Sequence, residues 1–498
     1  MNLSRRHFLK TAGAISVGFG GLQTLIGKNA FAAPSVSKMP YGFGELIRDP
    51  DQILDLPKGF SYRLFSPAGT KMDDGFFVPT RHDGMAAFPG PNGKTILVRN
   101  HEVEGSDPAH GPYGENNQEL GRLPAELVYD SGKEAGPSLG GTTTLVYDTR
   151  IGRLESHRLS LTGTLRNCAG GPTPWDSWIS CEETTLRASE TLARNHGYNF
   201  EVPATPFGGP AEPKPLEAMG RFRHEAVAVD PRTGIVYQTE DMEDGLIYRF
   251  IPTEPGKLVR GGRLQALAVR WSPKLDTRNW DIPARVLVGR PLDVYWVDLD
   301  EVDSPKDDLR RQGYERGAAK FARGEGMWYG RPSIFFACTN GGWKKLGQVW
   351  RYTPSHFEGT EKEERFPGKL ELFIEPNNGD LVERCDNVTV APWGDLILCE
   401  DGEGDEYLVG VTPEGDIYKF ARQPEGKSEL AGATFSPDGS TLFVNLQEQG
   451  FSVAITGPWR SSRAPTSMRS TVSNPGNENE RRRQASLRRR RRRNGRRR

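Results

Sequence analysis

The chain has no excess of either charge: 65 Lys and Arg balance 65 Asp and Glu over 498 residues. That zero is an average of unlike parts. From Arg460 onward there are 15 Arg against Glu478 and Glu480, or +13. Residues 1–32 carry Arg5, Arg6, Lys10 and Lys28, or +4, so the body between holds about −17. An acidic body suits cations and argues against nucleic acid as its partner. Cysteine is scarce. Five residues (168, 181, 338, 385, 399) in so long a chain do not make a disulfide framework. No serine stands out as paired with a histidine base, and no complete Gly-x-x-x-x-Gly-Lys-Ser/Thr phosphate loop occurs. A side-chain nucleophile is therefore not the expectation. Long apolar runs are also missing; the best, Thr11 to Ile26, is interrupted by glycines and followed by Lys28, which excludes a permanent membrane span there.

That weak apolar run has a role of its own. Ser4-Arg-Arg-His-Phe-Leu-Lys10 precedes it and Ala30-Phe31-Ala32 follows. Twin arginines, a modest apolar region and small residues for cleavage predict a Tat export signal over residues 1–32. The expected location is periplasmic or secreted. Folded export accompanies cofactors loaded in the cytoplasm, which favours a metal site. Residues 33–459 read as one β-rich domain. Residues 460–498 are rich in Arg, Ser and Asn without apolar periodicity, and a disordered tail is expected.

Gly and Pro are plentiful, at 58 and 37 residues, which fits many short strands joined by tight turns. One frame recurs. Asn167-Cys-Ala-Gly-Gly-Pro-Thr-Pro-Trp-Asp-Ser-Trp-Ile-Ser-Cys-Glu-Glu183 reads as strand, turn, strand. Aligned on turn prolines, residues 224–241 match 385–401: Glu225 falls on Asp386, and Glu240 and Asp241 fall on Glu400 and Asp401. In the same frame Cys181 falls on Cys399 and Glu182 on Glu400. Residues 323–340 are a looser copy with Glu325 at entry; 85–102 and 433–445 complete six units. A hairpin brings its first and last residues to one end. Six such units set radially predict a six-bladed β-propeller, all-β, with helical and loop insertions at 185–220 and 252–320 and a helix around Pro305 to Phe321. Acids at corresponding strand ends would then converge on the axis.

The motifs Asn100-His-Glu102, Asn167-Cys-Ala-Gly-Gly171, Cys181-Glu-Glu183, His224-Glu225, Arg323-Gly-Glu-Gly326, Asp386-Asn387 and Glu400-Asp401 together resemble those of PhoX-type alkaline phosphatases. The resemblance runs from the twin-Arg signal to Trp459. It implies hydrolysis of phosphate monoesters, with diesters as a further possibility, at an axial cluster of two ferric ions, three calcium ions and a bridging oxo group. It implies Cys181 as the thiolate shared by the irons, and Glu182, Glu225, Asp241, Glu325, Asp386 and Glu400 as metal ligands, with Glu240 an alternative to Asp241. Arg323 would grip the substrate phosphate, with Asn167 in the same pocket. The chemistry agrees: thiolate favours iron, carboxylates suit calcium, and the arginine fork fits phosphate oxygens. A metal-bound oxygen is a better nucleophile candidate than any side chain. The expected partners are small phosphate esters and the Tat machinery, and the body is expected to be a monomer without nucleic acid. Two other readings remain: a calcium-dependent propeller lactonase, and a non-catalytic periplasmic binding propeller.

Overall fold

In a computed structural model, residues 42–133, 135–424 and 428–460 are described. The export signal at 1–32 and the tail from 461 lie outside the described residues. Among the described residues strands dominate, with one α-helix, Leu309–Glu315, inside the expected helical stretch. No helix there is long and apolar enough to cross a membrane.

The strands form a propeller-like arrangement of small antiparallel sheets. His82–Pro89, Thr95–His101, Gly140–Asp148 and Arg153–Thr164 make one four-stranded sheet. Asn167–Pro172, Ser177–Glu182 and Asn199–Pro203 make a three-stranded one. A nine-stranded sheet follows, in which two meanders, starting at His224–Val229 and Gly324–Gly330, are joined edge to edge through Leu292–Asp298. Cys385–Val390 begins another four-stranded sheet. In the last, Leu430–Phe435, Thr441–Leu446 and Phe451–Thr456 are completed by Ser61–Phe65 from the other end of the chain.

Each of the six strand–turn–strand units read from the sequence is a paired hairpin. The turns carry the residues their geometry demands: Gly93, Gly234, Gly394 and Gly439 sit at positive φ, where a side chain is strained. The first strands of these hairpins pack against one another in chain order, and Leu430–Phe435 packs back on His82–Pro89.

All six first strands share a defect in the same place. Their registers shift between His82 and Met85, Asn167 and Gly170, His224 and Val227, Gly324 and Met327, Cys385 and Val388, and Ala431 and Thr434. A bulge inserts an unpaired residue and re-aims its side chain. The two residues inside each shift are Asp83-Gly84, Cys168-Ala169, Glu225-Ala226, Glu325-Gly326, Asp386-Asn387 and Gly432-Ala433. Small second residues let the strands approach closely: a Cβ on Gly84 would lie 2.6 Å from Ala169 Cα, and one on Gly326 2.7 Å from Asn387 Cα. Neighbouring sheets brace the bulges. Asn100 Nδ2 donates to the carbonyls of Cys168 (3.1 Å) and Ala169 (2.6 Å). Thr239 Oγ1 donates to Glu325 O at 2.6 Å and accepts from Ala226 N at 2.9 Å.

Candidate metal centre

The bulges gather chemistry at one end of the sheets. Cys168, Glu183 and Glu225 each offer a ligand atom, and these atoms lie within 4.8 Å of one another. Glu225, Glu325 and Asp386 form a second such group, so Glu225 belongs to both. Four of these five residues occupy the first bulge position. Glu183 comes from the other strand of its hairpin, one residue past the end of Ser177–Glu182.

That exit position also repeats. The backbone N–H groups of Glu102, Glu183, Asp241, Thr339, Asp401 and Gln447 donate to the carbonyls of Arg81, Arg166, Arg223, Arg323, Arg384 and Glu429. Each of these acceptors immediately precedes its bulged strand. The exit residues therefore stand beside the bulge residues of their own sheets. Asp83 and Glu102 join the field from the first sheet, since each raises the cost of charging the other groups around it.

So many buried carboxyls resist ionisation together. Burial, and then the charges of Asp386 and Glu183, hold Glu225 well above the carboxylate range. Burial and Asp241 do the same to Glu325. Burial and Asp401 push Asp386 up to about 7. Burial and the charge of Asp241 push Glu183 up to about 9. Burial, with Glu225 behind it, raises the Cys168 thiol. Two arginines are the counterweight. Arg323 Nε and Nη2 donate to Asp241 at 2.6 and 2.8 Å, and Nη2 lies 3.0 Å from Glu325. Arg166 Nη2 lies 2.7 Å from Glu183 Oε2 and donates to Glu102 at 3.2 Å.

Four of the residues proposed from the sequence lie outside these two groups. Cys181 is not in either acid group; its side chain is part of an apolar cluster with Ile179, Leu216 and Phe222. The thiol among the acids is Cys168. Glu182 is also elsewhere. Its carboxylate accepts from Leu165 N (2.9 Å), Gly197 N (2.8 Å) and Tyr198 N (3.2 Å) and meets His196 Nδ1 at 2.6 Å. Asp130 holds the other nitrogen of His196 at 3.2 Å, and the trio is fully buried. The residue that reaches the cluster is Glu183. Glu400 is held by Lys419 Nζ at 2.8 and 3.0 Å and by Glu383 N at 2.7 Å. Asn167 is locked between Thr164 Oγ1 (2.7 Å) and Ser180 Oγ (2.9 Å) and presents nothing to the site. Strand alternation accounts for the acids. Glu182, Glu240 and Glu400 pair directly with the residue before each bulge and point into their sheets, whereas the next residue points to the cluster. Between Glu240 and Asp241 the same alternation decides: Glu240 accepts from Tyr248 Oη and Leu246 N inside its sheet, and Asp241 meets Glu183 and Arg323. Glu225, Asp241, Glu325, Asp386 and Arg323 lie where the sequence reading put them, at one end of the hairpins.

Sequence reasoning missed Cys168, Glu183 and the arginines beside Arg323. A signal existed. Arg81-His-Asp83, Arg166-Asn-Cys168, Arg223-His-Glu225, Arg323-Gly-Glu325 and Arg384-Cys-Asp386 are five copies of Arg-x-(acid or Cys), each at the start of a bulged strand.

The donor set fits cations. A thiol and two carboxylates make one mixed group and three carboxylates make another. Glu325 Oε1 is buried, accepts no hydrogen bond and has Arg323 Nη2 as an ion-pair neighbour at 3.0 Å. One guanidinium is shared there between Glu325 and Asp241, so the acids outnumber the positive charge beside them.

Residues 41–450 match the family described as alkaline phosphatase PhoX. No curated protein matches the chain. Among solved structures, Pseudomonas fluorescens PhoX in complex with vanadate, a transition state analogue, is similar at a TM-score of 0.58 and 18% identity, over 82% of this chain and 96% of that one. A gluconolactonase from Xanthomonas campestris aligns at a TM-score of only 0.35 and 12% identity, over 81% of this chain and 98% of that one, which is too remote to carry an argument. A match that spans most of the chain, over the strands that gather the thiol and the acids, places this protein in the alkaline phosphatase PhoX family.

Proposed function

We propose that this chain hydrolyses phosphate monoesters at the axial acid cluster with iron and calcium bound, two ferric and three calcium ions with a bridging oxo group, in the periplasm or outside the cell. The observation that carries it is the sharing of Glu225 between a thiol-containing group and an all-carboxylate group. A soft sulfur beside hard oxygens sorts two kinds of metal across one residue. Cys168, Glu183 and Glu225 would hold iron; Glu325, Asp386 and Asp241 suit calcium. The three four-stranded sheets, the three-stranded one and the nine-stranded one taken as two would give this arrangement six blades, with the two-stranded sheet Leu46–Ile47 and Leu56–Pro57 outside them. The twin arginines at Arg5 and Arg6 support Tat export.

Bound cations would supply charge stabilisation for the transferring phosphoryl group and an activated oxygen nucleophile. The chain's own residues do the rest. Asp241 holds Arg323 bidentately, which fixes the direction of the guanidinium. That fork is partly open to solvent, at 38% exposure, and offers its remaining N–H groups to phosphate oxygens. Asn100 and Thr239 fix the bulges, so the ligand positions are set before any ion arrives. Vanadate bound to the Pseudomonas fluorescens protein agrees with a phosphoryl-transfer site in this fold.

Metal analysis and a phosphatase assay on natively purified protein test the reading. Iron and calcium in the protein, visible absorption from a thiolate–iron centre, and turnover of a phosphate monoester are expected. A colourless, calcium-only protein without phosphatase activity would overturn it.

A further inference from the structure

Five arginines precede bulged strands, but two of them differ from the rest. Arg81 turns to Gln447 (3.0 Å) and Glu448 (2.6 Å), and Arg384 reaches exposed Glu403 at 3.8 Å. Arg166 and Arg323 instead hold carboxyls that face the cluster, although all four share a positive φ, 53° at Arg81, 46° at Arg166, 50° at Arg323 and 49° at Arg384. Their engagement is alike. Arg323 gives Nε and Nη2 to Asp241, the exit residue of the preceding hairpin. Arg166 gives Nε (3.3 Å) and Nη2 (3.2 Å) to Glu102, the exit residue of its own preceding hairpin. Each also touches a cluster carboxylate, Glu325 for Arg323 and Glu183 for Arg166. Glu183 and Asp241 are neighbours, and the charge of Asp241 is the main one that opposes ionisation of Glu183. The result is a chain of four groups, Arg166–Glu183–Asp241–Arg323, with a guanidinium at either end.

We propose that Arg166 is a second phosphate-binding arginine, acting from the other end of this chain from Arg323. The inference rests on the phosphatase reading above. A phosphoryl group offers three outer oxygens, and a single fork satisfies two at most. Arg166 has the access: its side chain is 30% exposed and lines a cleft with Thr80, Arg81, His110 and the two acids Glu102 and Glu104. It also has the charge, because a guanidinium keeps its proton at any working pH. Once Glu183 serves cations, its hold on Arg166 weakens and N–H groups become available to an anion. Glu104, which meets Nη1 at 3.2 Å, is 69% exposed and yields readily to a competing phosphate.

The test compares metal-loaded wild type with Arg166→Gln, Arg166→Lys and Arg323→Gln. Metal content and the affinity for inorganic phosphate, by titration calorimetry, are measured beside kcat and KM. Arg166→Gln is expected to keep its metals, to bind phosphate at least tenfold more weakly and to raise KM in parallel, as Arg323→Gln does. Arg166→Lys keeps the charge but loses the fork, and should fall between. Should Arg166→Gln shed metal, the lysine variant decides in its place. Phosphate affinity within twofold of wild type in a metal-replete variant overturns the inference and leaves the phosphatase reading intact. So does loss of metal from both variants, because Arg166 would then serve only to hold Glu183. A metal-loaded wild type that binds no phosphate sinks the phosphatase reading, and the second arginine with it.

Discussion

Glu182 and Glu183 are adjacent in the chain, equally acidic and both buried, yet they belong to different parts of the molecule. Glu182 is satisfied four times over, by three backbone N–H groups and His196. Glu183 faces Asp241 and Glu225, and only Arg166 relieves it. The same split recurs between Glu240 and Asp241 and between Glu400 and Asp401. Glu182 and Glu400 are used in holding the hairpin end together, and Glu240 is so through Oε2 alone, its Oε1 making no hydrogen bond. The other acid of each pair stands among further carboxyls. Burial alone therefore does not mark a ligand; a buried carboxyl whose neighbours are also carboxyls does.

Substitutions can break that contrast. The largest effect is expected at Cys168. Cys168→Ala should lower iron content and cut turnover by about a thousandfold or more, since the electrostatics of the centre go with it. Cys181→Ala, in the apolar cluster, should cost roughly 1–3 kcal/mol of stability and leave metal content alone. Iron analysis and thermal melts of the two variants separate the roles, and equal metal loss from both would erase the distinction.

Metal removal should expose the crowded acids next. With folded-state values pushed up to about 9 at Glu183 and about 7 at Asp386, the folded apo-protein binds more protons than the unfolded chain above pH 4.5. The contribution of these two acids to stability is then fully present at low pH and is lost as pH rises toward 9, by linkage on the order of 10 kcal/mol. Cations should flatten that slope. Denaturant melts of chelated and metal-loaded protein between pH 5 and 9 check it; parallel slopes would mean the acids carry no such strain.

Smaller effects are expected at the satisfied acids. Glu182→Gln breaks a buried pair with His196 and should cost roughly 3–5 kcal/mol, with metal per folded molecule unchanged. Glu400→Gln should cost less, about 1–2 kcal/mol, because Lys419 keeps some access to water. Metal lost from folded Glu182→Gln would blur the boundary between the two kinds of acid.

The sequence showed the hairpins, their turns and their acid-tipped ends because these depend on local chemistry: proline and glycine at turns, apolar alternation along strands. It also placed Glu225, Asp241, Glu325 and Asp386 at the correct end. Which of two consecutive acids faces the axis was not legible, because side-chain direction has a period of two and a single inserted residue reverses it. The bulges have no fixed residue type; Asp83-Gly84, Cys168-Ala169 and Asp386-Asn387 share little beyond size. Alignment on turn prolines fitted Cys181 to Cys399 but not the entry of that hairpin. Carried back to the entry, it would have set Cys168 on Glu225 and Asp386.

The strand Ser61–Phe65 completes the sheet that ends with Phe451–Thr456. Nearly the whole described chain separates the two partners. During synthesis the early strand must wait, unpaired, until the last hairpin has left the ribosome. Local hairpins can form as they emerge, but this seam closes late, because long loops must be closed before it gives any return. Asp83 and Glu102 follow soon after the waiting strand, while Gln447, which donates to both at 2.8 and 3.2 Å, arrives near the end. A truncated or stalled chain would thus carry most of the acids yet lack the geometry to keep an ion, and metal uptake becomes a check on completed synthesis.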